Sequence, residues 1–129
     1  MAIVGHGVDV IEVERIRKMM ADHPEHFIQR TFTEKEVAYA EREARQAEVY
    51  AGRFAAKEAV MKTLGTGWRR GVAFQEIEIL EHPSGEPYVV LHGRTAEAAR
   101  ERSIARLWIS ISHIRDLAVA SAIGVDDKG

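Results

Sequence analysis

Two carboxylates in this sequence are of the type, and in the setting, that metal and phosphate chemistry requires. Asp9 interrupts an apolar stretch between Val8 and Val10. Glu58 lies in a helical stretch, with Lys62 four residues later. A carboxylate among buried apolar residues is costly unless a cation or hydrogen bonds compensate it. Carboxylates from two elements suit a hard cation such as Mg²⁺, which often binds one or two of them together with substrate phosphates. The pattern indicates phosphoryl-transfer chemistry.

Each of these residues also has a plain structural explanation. Asp9 also fits an exposed strand end or a cap of the following helix. Glu58 and Lys62 have the order and spacing of a surface ion pair within one helix, which is worth only about 0.3–0.5 kcal/mol. His113 ends the stretch SISH and also fits a strand end that meets solvent. Residue type and spacing leave these alternatives open, and GTGWRRG lacks the G-x-x-x-x-G-K-[ST] pattern of a P-loop.

The elements that must position these residues follow the order β-α-α-α-β-β-α-β-β, which predicts one α+β domain over residues 1–129 with a largely antiparallel sheet. Strands are predicted at 3–11, 107–112 and 117–125, and a hairpin over 72–92. Helices are predicted at 12–20, 33–45, about 49–64 and 93–103. Within the hairpin, Phe74 is out of phase with Ile77 and Ile79, which predicts a bulge or a buried strand end.

Local signals define the predicted helix boundaries. Thr33 and Glu36 have the spacing of a capping box, which predicts that a helix begins at this point. Gly65 follows the helix that carries Glu58 and is expected to end it. Pro24 breaks the helical pattern that precedes it.

The composition argues against several classes of protein. The net charge of −2 creates no overall field for nucleic acid or an anionic membrane, although Arg15, Arg17 and Lys18 form a local basic cluster. No apolar run approaches the ~20 residues of a membrane helix, and the N-terminus lacks the features of a signal peptide. The absence of cysteine excludes disulfides and thiolate metal sites, and it agrees with a reducing cytoplasm. His23 and His26 do not form a zinc pattern.

Four motifs occur in a fixed order along nearly the whole chain. They are GHGVDVIEVERI at 5–16, FIQRTFTEKE at 27–36, AGRFAAKEAVMKTLGTG at 51–67 and SISH at 110–113. Together they resemble the holo-acyl-carrier-protein synthases, a family of small bacterial phosphopantetheinyl transferases. The resemblance implies transfer of 4′-phosphopantetheine from coenzyme A to a serine of apo-acyl carrier protein, in fatty-acid synthesis, with release of adenosine 3′,5′-bisphosphate. It also implies a Mg²⁺ cofactor and a homotrimer with active sites at the subunit interfaces.

The resemblance further implies roles for particular residues. Asp9 and Glu58 would bind the metal, and Lys62 would stabilise or protonate the leaving phosphate. Glu58 would also orient or deprotonate the attacking serine, either directly or through water. The residues matched to coenzyme A contacts are Arg45, Arg53, Lys62, Gly65, Gly85, Pro87 and His113. The residues matched to carrier-protein contacts are Arg15, Met19, Phe27, Arg30 and Arg70. The arginines would steer and orient an acidic partner, while the other two would supply apolar contact.

The chain departs from the family pattern at a few positions. His6 stands where an apolar residue is common, and Ser84 and Glu86 replace an amide and a cation near the adenosine end of coenzyme A. Two alternatives to a transferase are a nonenzymatic coenzyme A or nucleotide-binding module and a metal-dependent hydrolase of the coenzyme A pyrophosphate. The set of Asp9, Glu58 and Lys62 argues against the first, and product analysis separates the second. In a trimer, apolar strand faces would contact a neighbouring subunit.

Overall fold

The long helix α4 is the element around which the others pack. The computed structural model describes residues 1–65 and 73–128. The elements in these ranges are β1 (Ile3–Glu12), α1 (Val13–Asp22), α2 (Pro24–Thr31), α3 (Glu34–Glu41), α4 (Gln46–Leu64), a 3₁₀ turn (Phe74–Glu76), β2 (Ile77–Glu81), β3 (Pro87–Leu91), α5 (Gly93–Glu101), β4 (Arg106–His113) and β5 (Leu117–Val125). Helix α4 packs against β1, β4 and β5, and it also contacts α1, α3 and β2.

Helix α4 is buried around most of its circumference. Ala51, Ala56 and Leu64 are all fully buried, although they do not share one face of the helix. A helix that buries side chains on most of its sides lies within the core rather than on its surface. It ends at Gly65, whose φ of 72° is a left-handed conformation that glycine adopts without strain.

Two glycines allow strand β1 to approach α4 closely. A Cβ atom at Gly7 would lie 2.2 Å from the carbonyl oxygen of Ala59, and one at Gly5 would lie 2.6 Å from that of Thr63. A side chain at either position would force the strand away from the helix. Asp9 is the next residue on the same face of β1, because side chains alternate along a strand. The glycines therefore bring Asp9 within reach of α4.

The three-stranded sheet has the order β1-β5-β4, and its pairings are antiparallel. Its inner face packs on α4 through small, buried side chains, namely Ala118, Ala120 and Ala122. Its outer face leaves large apolar side chains exposed, namely Val8, Val10, Trp108, Val119 and Ile123. Val10 lies opposite Val119 and Trp108 lies opposite Ile123, so these residues form one continuous apolar surface, called here the outer sheet face.

Strands β2 and β3 form a separate antiparallel hairpin. The 3₁₀ turn that precedes β2 contains Phe74, so this residue lies before the strand and not within it. Ile77 and Ile79 are buried on one face of the strand. The change of phase seen in the sequence therefore marks a helical turn at the start of β2.

The predicted α+β class is confirmed, but one helix is missing from the predicted order. Helix α2 begins at Pro24, which the sequence analysis took only as a break. Proline fits the first position of a helix, because its missing N–H has no partner there in any case. Two other boundaries also shift, since α3 ends at Glu41 and α4 begins at Gln46.

The predicted capping box at the start of α3 is confirmed. The Thr33 backbone N–H donates to Glu36 Oε1 at 2.8 Å, and the Glu36 backbone N–H donates to Thr33 Oγ1 at 3.3 Å. Two free N–H groups at the start of the helix are satisfied in this way. The sequence therefore predicts this helix start from local contacts alone.

Candidate active site

Asp9, Glu58 and Lys62 meet between β1 and the second half of α4. The Lys62 ammonium donates hydrogen bonds to Asp9 Oδ1 at 3.2 Å and to the Val8 carbonyl oxygen at 2.9 Å. The Asp9 side chain is 16% exposed, whereas Lys62 is largely open to solvent. Lys62 therefore connects the helix to the strand, which a simple surface pair with Glu58 would not do.

The Glu58 carboxyl is half-buried, and its environment disfavours its charged form. Burial raises its pKa, and the negative charge of Asp9 raises it further. Arg15 and Lys62 oppose this shift. The two carboxylates thus lie close enough to repel each other, although they come from different elements.

This pair of carboxylates fits a divalent cation. A positive ion would relieve their repulsion, and both ligands offer only oxygen atoms. Among residues 1–65 and 73–128, no group of three or more histidine, cysteine, aspartate and glutamate side chains could hold a metal. One or two carboxylates, with the remaining positions left to phosphates and water, are usual for Mg²⁺. A closed zinc site, which takes four nitrogen or sulfur ligands, does not match this arrangement.

A cleft of about 500 Å³ lies at the other end of α4, and we call it the arginine cleft. Its lining includes the candidate coenzyme A residues Arg45, Arg53, Gly85, Pro87 and His113, together with Tyr39, Glu43 and Glu81. It therefore brings together residues from α3, α4, the β2–β3 hairpin and β4, which are far apart in sequence. Three basic side chains around one cavity suit an anionic ligand.

Arg53 is the most buried cation of the arginine cleft. Its Nη2 donates to Glu81 Oε1 at 3.0 Å, and its guanidinium lies 4.5 Å from the centroid of the Tyr39 ring. Among the described residues, its buried Nε has no hydrogen-bond partner. A buried N–H without an acceptor is costly, so a ligand oxygen that accepts its hydrogen bond would remove this cost.

A buried carboxylate contacts two of the basic side chains in the cleft. Glu48 is 5% exposed, and its Oε1 lies 3.3 Å from His113 Nδ1. Its Oε2 lies 3.8 Å from Arg45 Nε. Glu48 could not be predicted from the sequence, because its partner His113 lies 65 residues away and no motif joins them.

A second cavity, of about 620 Å³, lies between α1, α2 and α4, and we call it the α1–α2 groove. Its lining includes the candidate carrier-protein residues Arg15, Met19, Phe27 and Arg30, together with Glu58, His23, His26, Phe54 and Phe74. The groove therefore combines positive charge with apolar surface and has a candidate catalytic carboxylate in its wall. Arg70 lies outside the described residues.

Phe27 contributes less free surface to this groove than the sequence analysis assumed. It is 6% exposed, and its ring centroid lies 5.9 Å from that of Phe32 and 6.1 Å from that of Phe54. Its contacts are therefore mainly with the aromatic core, while Met19 is exposed. Met19 is the larger apolar surface available to a partner.

The predicted site residues fall into two groups in one chain. Asp9, Glu58 and Lys62 lie together, and of these only Glu58 lines the α1–α2 groove. The arginine cleft contains none of the three. Gly65 lines neither cavity, and a Cβ atom there would lie 2.2 Å from Arg102 Nη1. One chain therefore does not enclose all the expected ligand contacts in one pocket.

Comparisons with known proteins agree with this fold and site. A model of the 4′-phosphopantetheinyl transferase superfamily matches residues 5–120. The holo-[acyl-carrier-protein] synthase of Solibacter usitatus is 45% identical over 121 residues, which are 94% of this chain and 97% of that protein. That of Caldanaerobacter subterraneus is 44% identical over 119 residues, or 92% of each chain.

Solved structures give the same result. The crystal structure of holo-[acyl-carrier-protein] synthase from Neisseria meningitidis has a TM-score of 0.89 and 29% identity, covering 97% of this chain and all of that one. The enzyme from Bacillus anthracis, in complex with coenzyme A (3′,5′-ADP), has a TM-score of 0.80 and 35% identity, covering 97% and 98%. The chain thus belongs to the 4′-phosphopantetheinyl transferase superfamily. Its relatives within that superfamily are holo-[acyl-carrier-protein] synthases.

Proposed function

We propose that this chain transfers 4′-phosphopantetheine from coenzyme A to a serine of apo-acyl carrier protein, in a reaction that depends on Mg²⁺ and serves fatty-acid synthesis. Family membership and the coenzyme A complexes of relatives support the transfer itself. The structural observation that carries the proposal is the grouping of Asp9, Lys62 and the half-buried Glu58 between β1 and α4. Neither a binding module nor a scaffold needs two repelling carboxylates at this point.

In this reaction the serine oxygen attacks the β-phosphorus of coenzyme A. A bond forms between that oxygen and phosphorus, and the bond from phosphorus to the bridging oxygen breaks, so adenosine 3′,5′-bisphosphate leaves. Mg²⁺ held by Asp9 and Glu58 would draw off phosphate charge and make the phosphorus more electrophilic. The serine loses its proton, and Glu58 is suited to accept it, directly or through water, because it lies in the wall of the α1–α2 groove. Lys62 is suited to stabilise or protonate the leaving phosphate.

The arginine cleft is the proposed site for the rest of coenzyme A. Arg45, Arg53 and His113 would bind its phosphates, and Gly85 and Pro87 of the hairpin turn would lie near its adenosine end. The Nε of Arg53, which has no hydrogen-bond partner in the described part of the chain, supports this assignment, since a phosphate oxygen can accept its hydrogen bond. Contacts of Lys62 and Gly65 with coenzyme A remain part of the proposal.

The α1–α2 groove is the proposed docking surface for the carrier protein. Arg15 and Arg30 supply positive charge for an acidic partner, and Met19, with the edge of Phe27, supplies apolar contact. Glu58 lies in the wall of the same groove, so a serine presented by a docked partner would arrive beside the proposed metal ligand. A contact from Arg70 is proposed from the family resemblance.

The active unit is proposed to be a homotrimer, in the cytoplasm, with sites between subunits. The exposed outer sheet face supports association, because a continuous apolar surface of this kind marks an interaction site. Within one chain, the lining of the arginine cleft does not include Asp9. A site that uses both would combine residues of two subunits, which supports an interfacial site. Analytical ultracentrifugation tests this: the wild type should sediment as a trimer and Val119→Asp as a monomer. A wild type that is monomeric at all concentrations would contradict the proposal.

The transfer is tested by mass spectrometry of apo-acyl carrier protein after incubation with the chain, coenzyme A and Mg²⁺. The expected result is a mass gain of one phosphopantetheine that is lost with EDTA and with Asp9→Ala. Glu97→Gln, an exposed carboxylate on α5, serves as the matched control and should retain activity. Coenzyme A binding without transfer to any carrier protein would support a binding module. Release of free phosphopantetheine without a carrier protein would support a hydrolase.

A further inference from the structure

Glu48 is a buried carboxylate whose partners in the described chain, Arg45 and His113, are both basic side chains of the arginine cleft. Its Oε1 faces His113 Nδ1 at 3.3 Å, and its Oε2 faces Arg45 Nε at 3.8 Å. The side chains of Arg45 and His113 are 78% and 41% exposed, whereas that of Glu48 is 7% exposed. The carboxylate thus lies behind the two basic side chains, on the protein side of the cleft.

The start of helix α4 does not explain this orientation. Glu48 is the third residue of α4, and Glu36 is the third residue of α3. Glu36 turns back and accepts the backbone N–H of Thr33, as a capping box requires. The residue before α4 is Arg45, which forms no side-chain cap, and Glu48 instead reaches β4 across the fold. A favourable interaction with the helix dipole would need neither this direction nor burial.

Burial of a carboxylate is costly unless charge and hydrogen bonds compensate it. Glu48 obtains this compensation from Arg45 and His113, so the free energy of burying its carboxylate depends on where these two side chains lie. When Nδ1 of His113 faces Glu48, Nε2 is the ring nitrogen left for a ligand. The Oε2 contact also restricts Arg45, which would otherwise be a freely moving surface side chain.

We infer that Glu48 is a positioning residue of the arginine cleft, which holds His113 and Arg45 in the orientation that binds an anionic phosphate ligand. This inference rests on the proposed function for the identity of the ligand. Glu48 touches neither ligand nor reacting atoms, so its effect should fall on ligand affinity and KM for coenzyme A, while kcat stays unchanged.

The test uses Glu48→Gln, which keeps the size of the side chain and removes its charge. Calorimetry should show that adenosine 3′,5′-bisphosphate binds about tenfold more weakly, as expected for the loss of one hydrogen bond to a charged group. Thermal unfolding should occur at or above the wild-type temperature, because a buried charge has been removed. Glu97→Gln is the matched control: it makes the same change at an exposed carboxylate on α5, outside the cleft, and should not weaken binding.

A double-mutant cycle separates positioning from a general effect. Glu48→Gln should cost less than about threefold in affinity when His113→Gln is already present, because the partner is gone. Equal costs in both backgrounds, or unchanged affinity in Glu48→Gln, would overturn the inference.

NMR of the free protein tests the role of Glu48 even if adenosine 3′,5′-bisphosphate is not the ligand. ¹⁵N NMR of the His113 ring in the free protein should show Nδ1 protonated in the wild type and a mixture of tautomers in Glu48→Gln. Absence of bisphosphate binding in the wild type would count against the proposed function, whereas an unchanged His113 spectrum would count against the role of Glu48.

Discussion

Lys57 and Glu58 are adjacent in sequence, both are charged, and α4 gives them opposite environments. The Lys57 side chain is fully buried, and its ammonium donates to Glu36 Oε1 at 2.8 Å, to the Phe74 carbonyl at 2.8 Å and to the Ile77 carbonyl at 2.7 Å. Glu58 is half-buried, lines the α1–α2 groove and is repelled by Asp9. Successive residues point about 100° apart on a helix, so one faces the scaffold and the other the groove.

The difference indicates that Lys57 contributes to stability, whereas Glu58 is available for chemistry. Every N–H of the Lys57 ammonium has an acceptor, and its partners join α4 to α3 and to the segment that leads into β2. Burial lowers the pKa of Lys57, and the Glu36 carboxylate opposes that shift. Glu58 is less well compensated, which is the arrangement expected where a ligand completes the site. Substitutions at Lys57 and Glu58 should therefore affect stability and turnover separately.

The largest expected effect is on turnover in Glu58→Gln. Loss of a metal ligand and proton acceptor should lower kcat by about 10⁴-fold, or about 5 kcal/mol of transition-state stabilisation. The free energy of unfolding should stay constant or rise, because repulsion from Asp9 is removed. Steady-state kinetics and urea denaturation measure the two quantities. Turnover within tenfold of wild type would show that Glu58 has no catalytic role.

Lys57→Met should show the converse pattern. Removing the ammonium leaves Glu36 as an unpaired buried charge, so the free energy of unfolding should fall by about 3–5 kcal/mol. Addition of Glu36→Gln should recover part of this loss, because the uncompensated charge is then removed as well. The molecules that remain folded at low temperature should keep near-normal turnover. A kcat that falls by more than tenfold in the folded fraction would mean that the two roles are not separate.

The pH dependence of stability provides a third test. Because the pKa of Glu58 is raised, first by burial and then by Asp9, its contribution to stability is fully present below the ordinary value of 4.5 and is lost as pH rises through the raised value. The unfolding free energy of the wild type, minus that of Glu58→Gln, should therefore fall with rising pH in this window. Denaturation at a series of pH values without Mg²⁺ measures it. Asp9→Asn should reduce the change, and an unaltered change would leave burial as the sole cause.

Much of the fold was predictable because its signals are local. The alternating strands, the capping box at Thr33 and the end of α4 at Gly65 depend on neighbouring residues. Helix α2 was missed because Pro24 both interrupts and begins a helix, and only the tertiary burial of Phe27 and Thr31 decides between these roles.

Roles for the candidate site residues could be proposed from the sequence only where a motif carried them. The motifs identified Asp9, Glu58 and Lys62, and the glycines at 5 and 7 explain physically why this aspartate reaches the helix. The roles of Lys57 and Glu48 depend on Glu36 and His113, which are 21 and 65 residues distant. Side-chain spacing gives no information on pairs of this kind, since they arise only when the elements pack.

The smallest expected effect tests whether the scaffold side of α4 reaches the site. Thr33→Ala removes the hydroxyl that caps α3 and donates to Glu78 Oε2 at 2.6 Å, so the free energy of unfolding should fall by about 1–2 kcal/mol. Thr33→Ser keeps the hydroxyl and should lose less than half of that. Neither change should alter kcat, because Lys57 keeps its two carbonyl acceptors and still holds α4 in place. If Thr33→Ala lowers kcat in proportion to stability, then the network around Glu36 also sets the position of Glu58. In that case the stabilising role of Lys57 and the catalytic role of Glu58 would be coupled through α4.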